Sequence, residues 1–233
     1  MKKLLPLLAC VALPFAANAT DWKPAAEFGL VVSTGNSENT NINGKFALHG
    51  EDEQWIHDFG ALYVRGETGD ETTANRYELS GRSGYKFTER SYMFGSLRYE
   101  NDDFAAFDYQ AIASIGYGYF AIKNERTSLL FEIGPGYRRA RLLTGESDGS
   151  VIGRGLVDYK HQFTDSTSFF DTLLVEGGSD NTFVQNDIGI QVAINKTLAL
   201  KAALQARHNT DVLPGIDKTD TLTTINLVWA PES

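Results

Sequence analysis

Ionisable side chains recur at every second position through much of this chain. Arg76, Glu78, Arg82 and Lys86 share one parity of a single segment. Lys45, Arg98, Glu100, Glu132, Arg138, Arg154, Asp158, Lys160, Asp187, Lys201 and Arg207 hold the matching positions of other segments. Ten of these residues are basic and five acidic. Charges spaced this way do one of two things. They line a water-filled passage whose wall field favours anions, or they pair with one another and hold the surrounding structure together. Residue type and spacing leave both open.

Catalytic constellations are weaker. The histidines are His49, His57, His161 and His208, and none has the spacing of a zinc site. There is no His-x-Ser pair on a strand. His208-Asn209-Thr210 ends a segment at a loop edge, where polar residues belong. The expectation is that the protein is not an enzyme and needs no cofactor or metal, with a lipid hydrolase as the third-ranked alternative. Two acidic groups, Glu100 with Asp102, Asp103 and Asp108, and Asp211 with Asp217 and Asp220, fall at loop tips. Divalent ions could bridge such carboxylates to lipopolysaccharide phosphates. Their spacing matches no tight calcium loop, and solvated acidic loops are the plainer reading.

The elements that would carry these charges alternate with period two. Ile42, Phe46 and Leu48 oppose Asn41, Asn43 and Lys45. Phe107, Tyr109, Ala111, Ala113, Ile115, Tyr117 and Tyr119 read as one face, with Asp108, Gln110, Ser114, Gly116 and Gly118 on the other. Ile188, Ile190, Val192 and Ile194 oppose Gln185, Asp187 and Gln191. Twelve such segments follow one another, at 25–34, 39–49, 54–66, 72–88, 90–101, 105–122, 127–141, 149–163, 166–178, 182–195, 197–209 and 219–230. The third and ninth have mixed faces and no assignable register. Gly134-Pro135-Gly136 predicts a bulge or bend, because proline donates nothing to a ladder.

Short connections such as Thr88-Glu89-Arg90 and Asn195-Lys196 alternate with mostly longer, acidic ones such as Thr210 to Thr219. This is the pattern of an antiparallel transmembrane barrel with short periplasmic turns and longer outer loops. Aromatic residues collect at both ends. Tyr85, Phe87, Tyr92, Tyr117, Tyr119, Phe163 and Trp229 sit near the short turns, and Tyr63, Tyr77, Tyr99, Phe107, Tyr109 and Tyr137 near the long loops. Amphipathic rings form such girdles at membrane interfaces. A soluble sandwich or lipocalin-like barrel also alternates. However, many of these segments reach the length of roughly 9–11 residues that crosses a bilayer.

The N-terminus adds to this. Lys2-Lys3, an apolar run from Leu4 to Phe15 and Ala17-Asn18-Ala19 make up a secretory signal peptide. The expected organisation is a signal peptide over 1–19, cleaved after Ala19, and a barrel over 20–233. A lipobox at Leu8-Ala9-Cys10 fits poorly, because the apolar run continues past the cysteine. Cys10 is the one cysteine and leaves with the signal, so disulfides play no part. Loss of Lys2 and Lys3 takes the formal charge from −9 to −11, which argues against a nucleic-acid partner.

Thr34-Gly35-Asn36-Ser37 resembles the Thr-Gly-Asn signature of domain-of-unknown-function family 481, the YdiY-like salt-induced outer-membrane proteins. Tyr77-Glu78, Tyr85-Lys86-Phe87-Thr88-Glu89-Arg90, Tyr99-Glu100-Asn101-Asp102-Asp103-Phe104, Gly116-Tyr117-Gly118-Tyr119 and Glu132-Ile133-Gly134-Pro135-Gly136-Tyr137-Arg138 continue the similarity in order. The resemblance implies an outer-membrane barrel and transfers no catalytic residue. The expected function is a small channel or surface barrel, exported by the general secretion pathway. Its expected partners are outer-membrane lipid and lipopolysaccharide, periplasmic chaperones, the barrel-assembly machinery, and small ions or solutes. A non-conducting, envelope-stabilising barrel with an ion-paired lumen is the alternative.

Overall fold

The computed structural model describes residues 20–33, 39–69, 71–105, 107–142, 145–212, 215 and 217–231. The signal segment, Cys10 and the Thr34–Ser37 motif lie outside them. The strands are β1 (Asp21–Ser33), β2 (Asn39–Glu51), β3 (Trp55–Thr68), β4 (Glu71–Lys86), β5 (Ser91–Asp102), β6 (Phe107–Lys123), β7 (Thr127–Leu142), β8 (Ser147–Gln162), β9 (Thr167–Gly178), β10 (Thr182–Ala193), β11 (Leu198–Asn209) and β12 (Thr219–Trp229). Each pairs antiparallel with its sequence neighbour, and β12 pairs with β1 to close the barrel. This is the transmembrane up-and-down barrel the alternation predicts.

β1 begins four residues earlier than predicted and contains Pro24. Pro24 faces Leu48 of β2, while β12 pairs with β1 only over Ala26–Phe28. The missing N–H therefore falls beyond the end of β12, where no ladder bond is asked of it.

The short turns share one local device. Asp52 Oδ1 accepts from the backbone N–H of Gln54 and Trp55, both at 2.8 Å. Asn124 Oδ1 accepts from Arg126 and Thr127, and Asn195 Oδ1 from Thr197 and Leu198. Thr88 and Thr164 hydroxyls accept in the same way. A short polar side chain thus takes up the N–H groups that the reversal leaves unpaired. At Asp52 these bonds outweigh desolvation and hold the carboxyl below its usual range.

Large apolar side chains dominate the outer surface. Ile115, Ile133, Val151, Leu97 and Ile225 all point away from the lumen, Val151 and Ile133 with 72% and 71% exposure. In water this surface would be a large liability; in lipid it is the required solvent contact. Aromatic rows mark both ends. Tyr77, Tyr99 and Tyr109 stack at 6.0 and 5.9 Å near the long loops. Trp22, His57 and Trp55 form a row near the short turns, at 5.7 and 5.8 Å.

Two aromatic assignments need correction. Tyr92 is 1% exposed and lies inside, packed with Ile56, Phe94, Phe120 and Leu130. Phe107 is buried rather than on the outer face, because the β6–β7 register shifts between Phe107 and Tyr109. Pro135 also departs from expectation. No register shift occurs there: Ser114 faces Gly136 and Tyr117 faces Ile133 in one continuous register. The ladder lapses between those pairs instead. Gly134 lets the strands close up at this point, since a Cβ there would meet the Ile115 carbonyl oxygen.

Glycine also shapes the interior. A Cβ at Gly118 would collide with the Tyr92 ring, and one at Gly84 would lie 2.6 Å from it. These two glycines make the recess that seats Tyr92.

Two outcomes follow from this packing. Ile115→Arg, midway along β6 on the outer face, should cost about 2–4 kcal/mol of unfolding free energy in lipid vesicles; an unchanged denaturation midpoint would place that face away from lipid. Gly118→Val should displace the Tyr92 ring and cost about 1–3 kcal/mol, read in the same titration.

Candidate functional site

Among the described residues the lumen gathers most of the paired charges, so these define the candidate site. Alternation within each strand sends them inward, and closure of the barrel decides which of them meet.

Nearest the short turns, Glu132 of β7 is the hub. Arg154 Nη1 donates to it at 2.7 Å and Tyr92 Oη at 2.5 Å. Arg82 bonds both Glu132 and Asp58. Asp58 also meets His49 Nδ1 at 2.8 Å. Lys86 and Lys123 share Glu51, at 2.9 and 3.0 Å. The guanidinium of Arg154 lies over the Phe94 ring at 5.0 Å and that of Arg82 over Tyr92 at 5.6 Å. Charge and aromatic core are therefore one packed unit on this side of the barrel.

A second cluster lies toward the long loops. Glu100 of β5 has 0% exposure. It accepts from Arg98 Nη1 at 2.7 Å and Gln110 Nε2 at 3.2 Å, and it is bonded by Arg207 of β11. Arg98 also bonds Glu176 of β9 and lies 3.7 Å from Glu78. Arg207 lies 3.4 Å from Asp102. Phe183 of β10 is 2% exposed and sits between two guanidiniums, Arg98 at 5.0 Å and Arg207 at 5.1 Å. Arg76 of β4 donates to Gln205 of β11 at 2.7 Å. At the loop edge Arg138 bonds Asp180 at 2.6 Å. Burial alone would raise the Asp180 carboxyl, but this bond outweighs it and holds the group below its usual range.

The Glu100–Arg207 contact matters most for topology. In a ring of twelve strands, β5 and β11 stand half a turn apart. Direct bonding between them means that the lumen is bridged across its full width at that level. Arg98–Glu176 and Arg76–Gln205 add crossings between other strands that are not neighbours.

Beside the aromatic core lies open space. A cavity of about 610 Å³ runs from turn residues Asn124–Thr127 up to Glu78 and Gln205. Lys45, Lys160, Lys201, Asp158 and Asp187 line it. Lys201 bonds Glu27 at 2.8 Å, Lys160 lies 3.0 Å from Asp158, and Asp187 accepts from Gln185 and Gln205 at 2.7 Å each. The lining of this vestibule runs from the short-turn end to Glu78 and Gln205 and includes neither Glu100 nor Arg207.

The expected excess of basic residues is overturned. Six carboxylates missing from the predicted set pair with its bases: Glu27 with Lys201, Glu51 with Lys86, Asp58 with Arg82, Asp102 with Arg207, Glu176 with Arg98 and Asp180 with Arg138; one further base, Lys123, joins Lys86 on Glu51. The count becomes eleven against eleven, and the wall field that would favour anions loses its basis. Asp58 and Glu176 sit in β3 and β9, the two strands whose faces the alternation did not reveal. Asp102, expected at a loop tip with Glu100, turns with it toward Arg207. Tyr92 and Phe183 carry no charge, and only their contacts reveal their part.

The family profile described as "Protein of unknown function, DUF481" matches residues 26–230. The uncharacterized protein YdiY of Escherichia coli (strain K12) is 25% identical over 205 residues, which cover 87% of this chain and 80% of YdiY. Among solved structures, the NanC porin superposes with a TM-score of 0.52 at 10% identity, over 89% of this chain and 97% of the porin. The translocator domain of the autotransporter NalP from Neisseria meningitidis gives 0.50 at 11% identity, over 91% and 87%. At such identities the likeness is one of fold, the outer-membrane β-barrel fold. The sequence match runs from within β1 to the end of β12, and the chain belongs to the DUF481 family.

Proposed function

We propose that this protein is an outer-membrane barrel whose lumen is closed at rest by its own ion pairs, with a vestibule open to the periplasm. The short turns and both strand termini face the periplasm, and the longer acidic loops face outward. Outer-membrane lipid and lipopolysaccharide are its immediate partners, and no catalytic role is assigned. The observation that carries this reading is the Glu100–Arg207 bond across the full width of the barrel, with Glu100 wholly buried.

A charge pair of this kind closes a lumen at little net gain in stability. Desolvating both ions offsets most of their attraction, whereas removing one partner leaves the other uncompensated. The bridge is therefore firm when complete and costly when halved. A gated channel is the second reading, and the vestibule favours it. A barrel serving only as a structural rivet has no need of a cavity of about 610 Å³ with lysines and carboxylates on its wall.

Planar-bilayer recording tests the closed lumen. The wild-type barrel should be silent, and Glu100→Ala combined with Arg207→Ala should produce discrete conductance steps with no strong preference between anions and cations. Wild-type steps of a size set by salt would overturn the closed resting state. In denaturant titrations Glu100→Ala alone should lose about 3–5 kcal/mol, more than the double replacement loses.

A further inference from the structure

The ninth strand resists a reading by alternation because a carboxylate occupies its outer face. Phe170 points into the lumen, its ring 4.6 Å from Lys201 Nζ, and Thr172 points inward to bond Asp158 at 2.8 Å. Asp171, between them, therefore faces out. It stands between Tyr159 of β8 and Ile188 of β10. Gln185 and Asp187 both face inward, so Asn186 also faces out, flanked on its strand by Val184 and Ile188. The two polar residues meet there, with Asn186 Nδ2 donating to Asp171 Oδ1 at 2.6 Å.

This pair lies midway along β10, inside the belt where Ile190 and Val192 present apolar surface. A carboxylate offers about four acceptor positions. One donor from Asn186 leaves most of them facing hydrocarbon, where unmet polar groups are costly. Beside this pair the outer face of β11 and β12 carries small side chains among larger ones such as Leu200, Leu204 and Ile225. Asn186 is level with Ala206 of β11, which is level with Thr221 of β12, and Leu204 is level with Thr223. Elsewhere the outer face carries large residues such as Leu97, Ile115 and Ile133.

We propose that a second copy of this chain packs against the outer face of β9–β12, with Asp171 and Asn186 at the centre of a two-fold contact. A donor beside an acceptor is self-complementary under two-fold symmetry. The second Nδ2 hydrogen of Asn186 in one copy reaches Asp171 of the other, and the reverse holds. The small residues at 206, 221 and 223 let the two barrel walls approach closely. The inference needs only that the barrel stands in a bilayer, whether its lumen is open or closed.

Native mass spectrometry of the barrel released from lipid nanodiscs tests this. The wild type should appear as a dimer. Asp171→Leu combined with Asn186→Leu should weaken the dimer at least tenfold while the barrel keeps its heat-modifiable mobility on gels. Ala206→Phe, which leaves the polar pair intact and blocks close approach, should also give monomers. A wild-type monomer at every protein-to-lipid ratio would overturn the proposal, as would a dimer that persists in both variants. A monomer carrying a lipid adduct that the double replacement removes would also overturn it, and would assign the pair to lipid instead.

Discussion

A bilayer core offers no water to backbone N–H and C=O groups, so every one within it must find a partner in the chain. For strands the only complete solution is a closed ring, and the rest of this structure follows from it. Closure of β12 onto β1 removes the free edges that twelve strands would otherwise expose. It also sorts every strand into an outer face that meets lipid and an inner face that meets other side chains. Polar residues excluded from the outside are collected inside at close quarters, where they must satisfy each other. The seam is brief, with pairing over Ala26–Phe28. The Lys201–Glu27 ion pair reaches over β12 to join the strands on either side of it.

Inside, charge and aromatic packing are not separate layers. Glu132 is bonded by Arg82, Arg154 and Tyr92, while the same guanidiniums rest on Tyr92 and Phe94. Phe183 plays that part between Arg98 and Arg207. A flat ring lets a guanidinium shed water on its faces while its edges keep their hydrogen bonds. This is how a lumen of charged residues becomes largely solid. The glycines opposite Tyr92 and Phe94 supply the remaining room, at Gly84, Gly116 and Gly118. The open space is left along Lys45, Lys160 and Lys201, with Arg126 at its short-turn end.

Much of the fold was legible in residue order. Period-two alternation located all twelve strands to within a few residues, because each face of a membrane strand meets a different solvent. The short turns were visible as Asp52, Thr88, Asn124, Thr164 and Asn195, whose side chains serve the same backbone groups in every case. Alternation failed where one residue broke the solvent rule. Asp171 puts a carboxylate toward lipid in β9, and His57 and Arg65 stand on the outer parity of β3 while Leu62 lines the lumen. The bulge expected at Pro135 did not form, since flanking glycines allowed close approach without a change of register.

The sequence by itself determined the barrel, its strand count and the set of charges sent inward, because period, length and turn chemistry are local properties of the chain. It did not determine what those charges do. Whether Arg207 lines a passage or closes one depends on a partner more than a hundred residues away, on the strand half a turn round the ring. Arg98 with Glu176 and Tyr92 with Glu132 likewise depend on partners 78 and 40 residues away, on strands that are not neighbours. Those distances exist only once the ring has closed at its particular circumference, so the tertiary structure alone decided between a lined lumen and a bridged one.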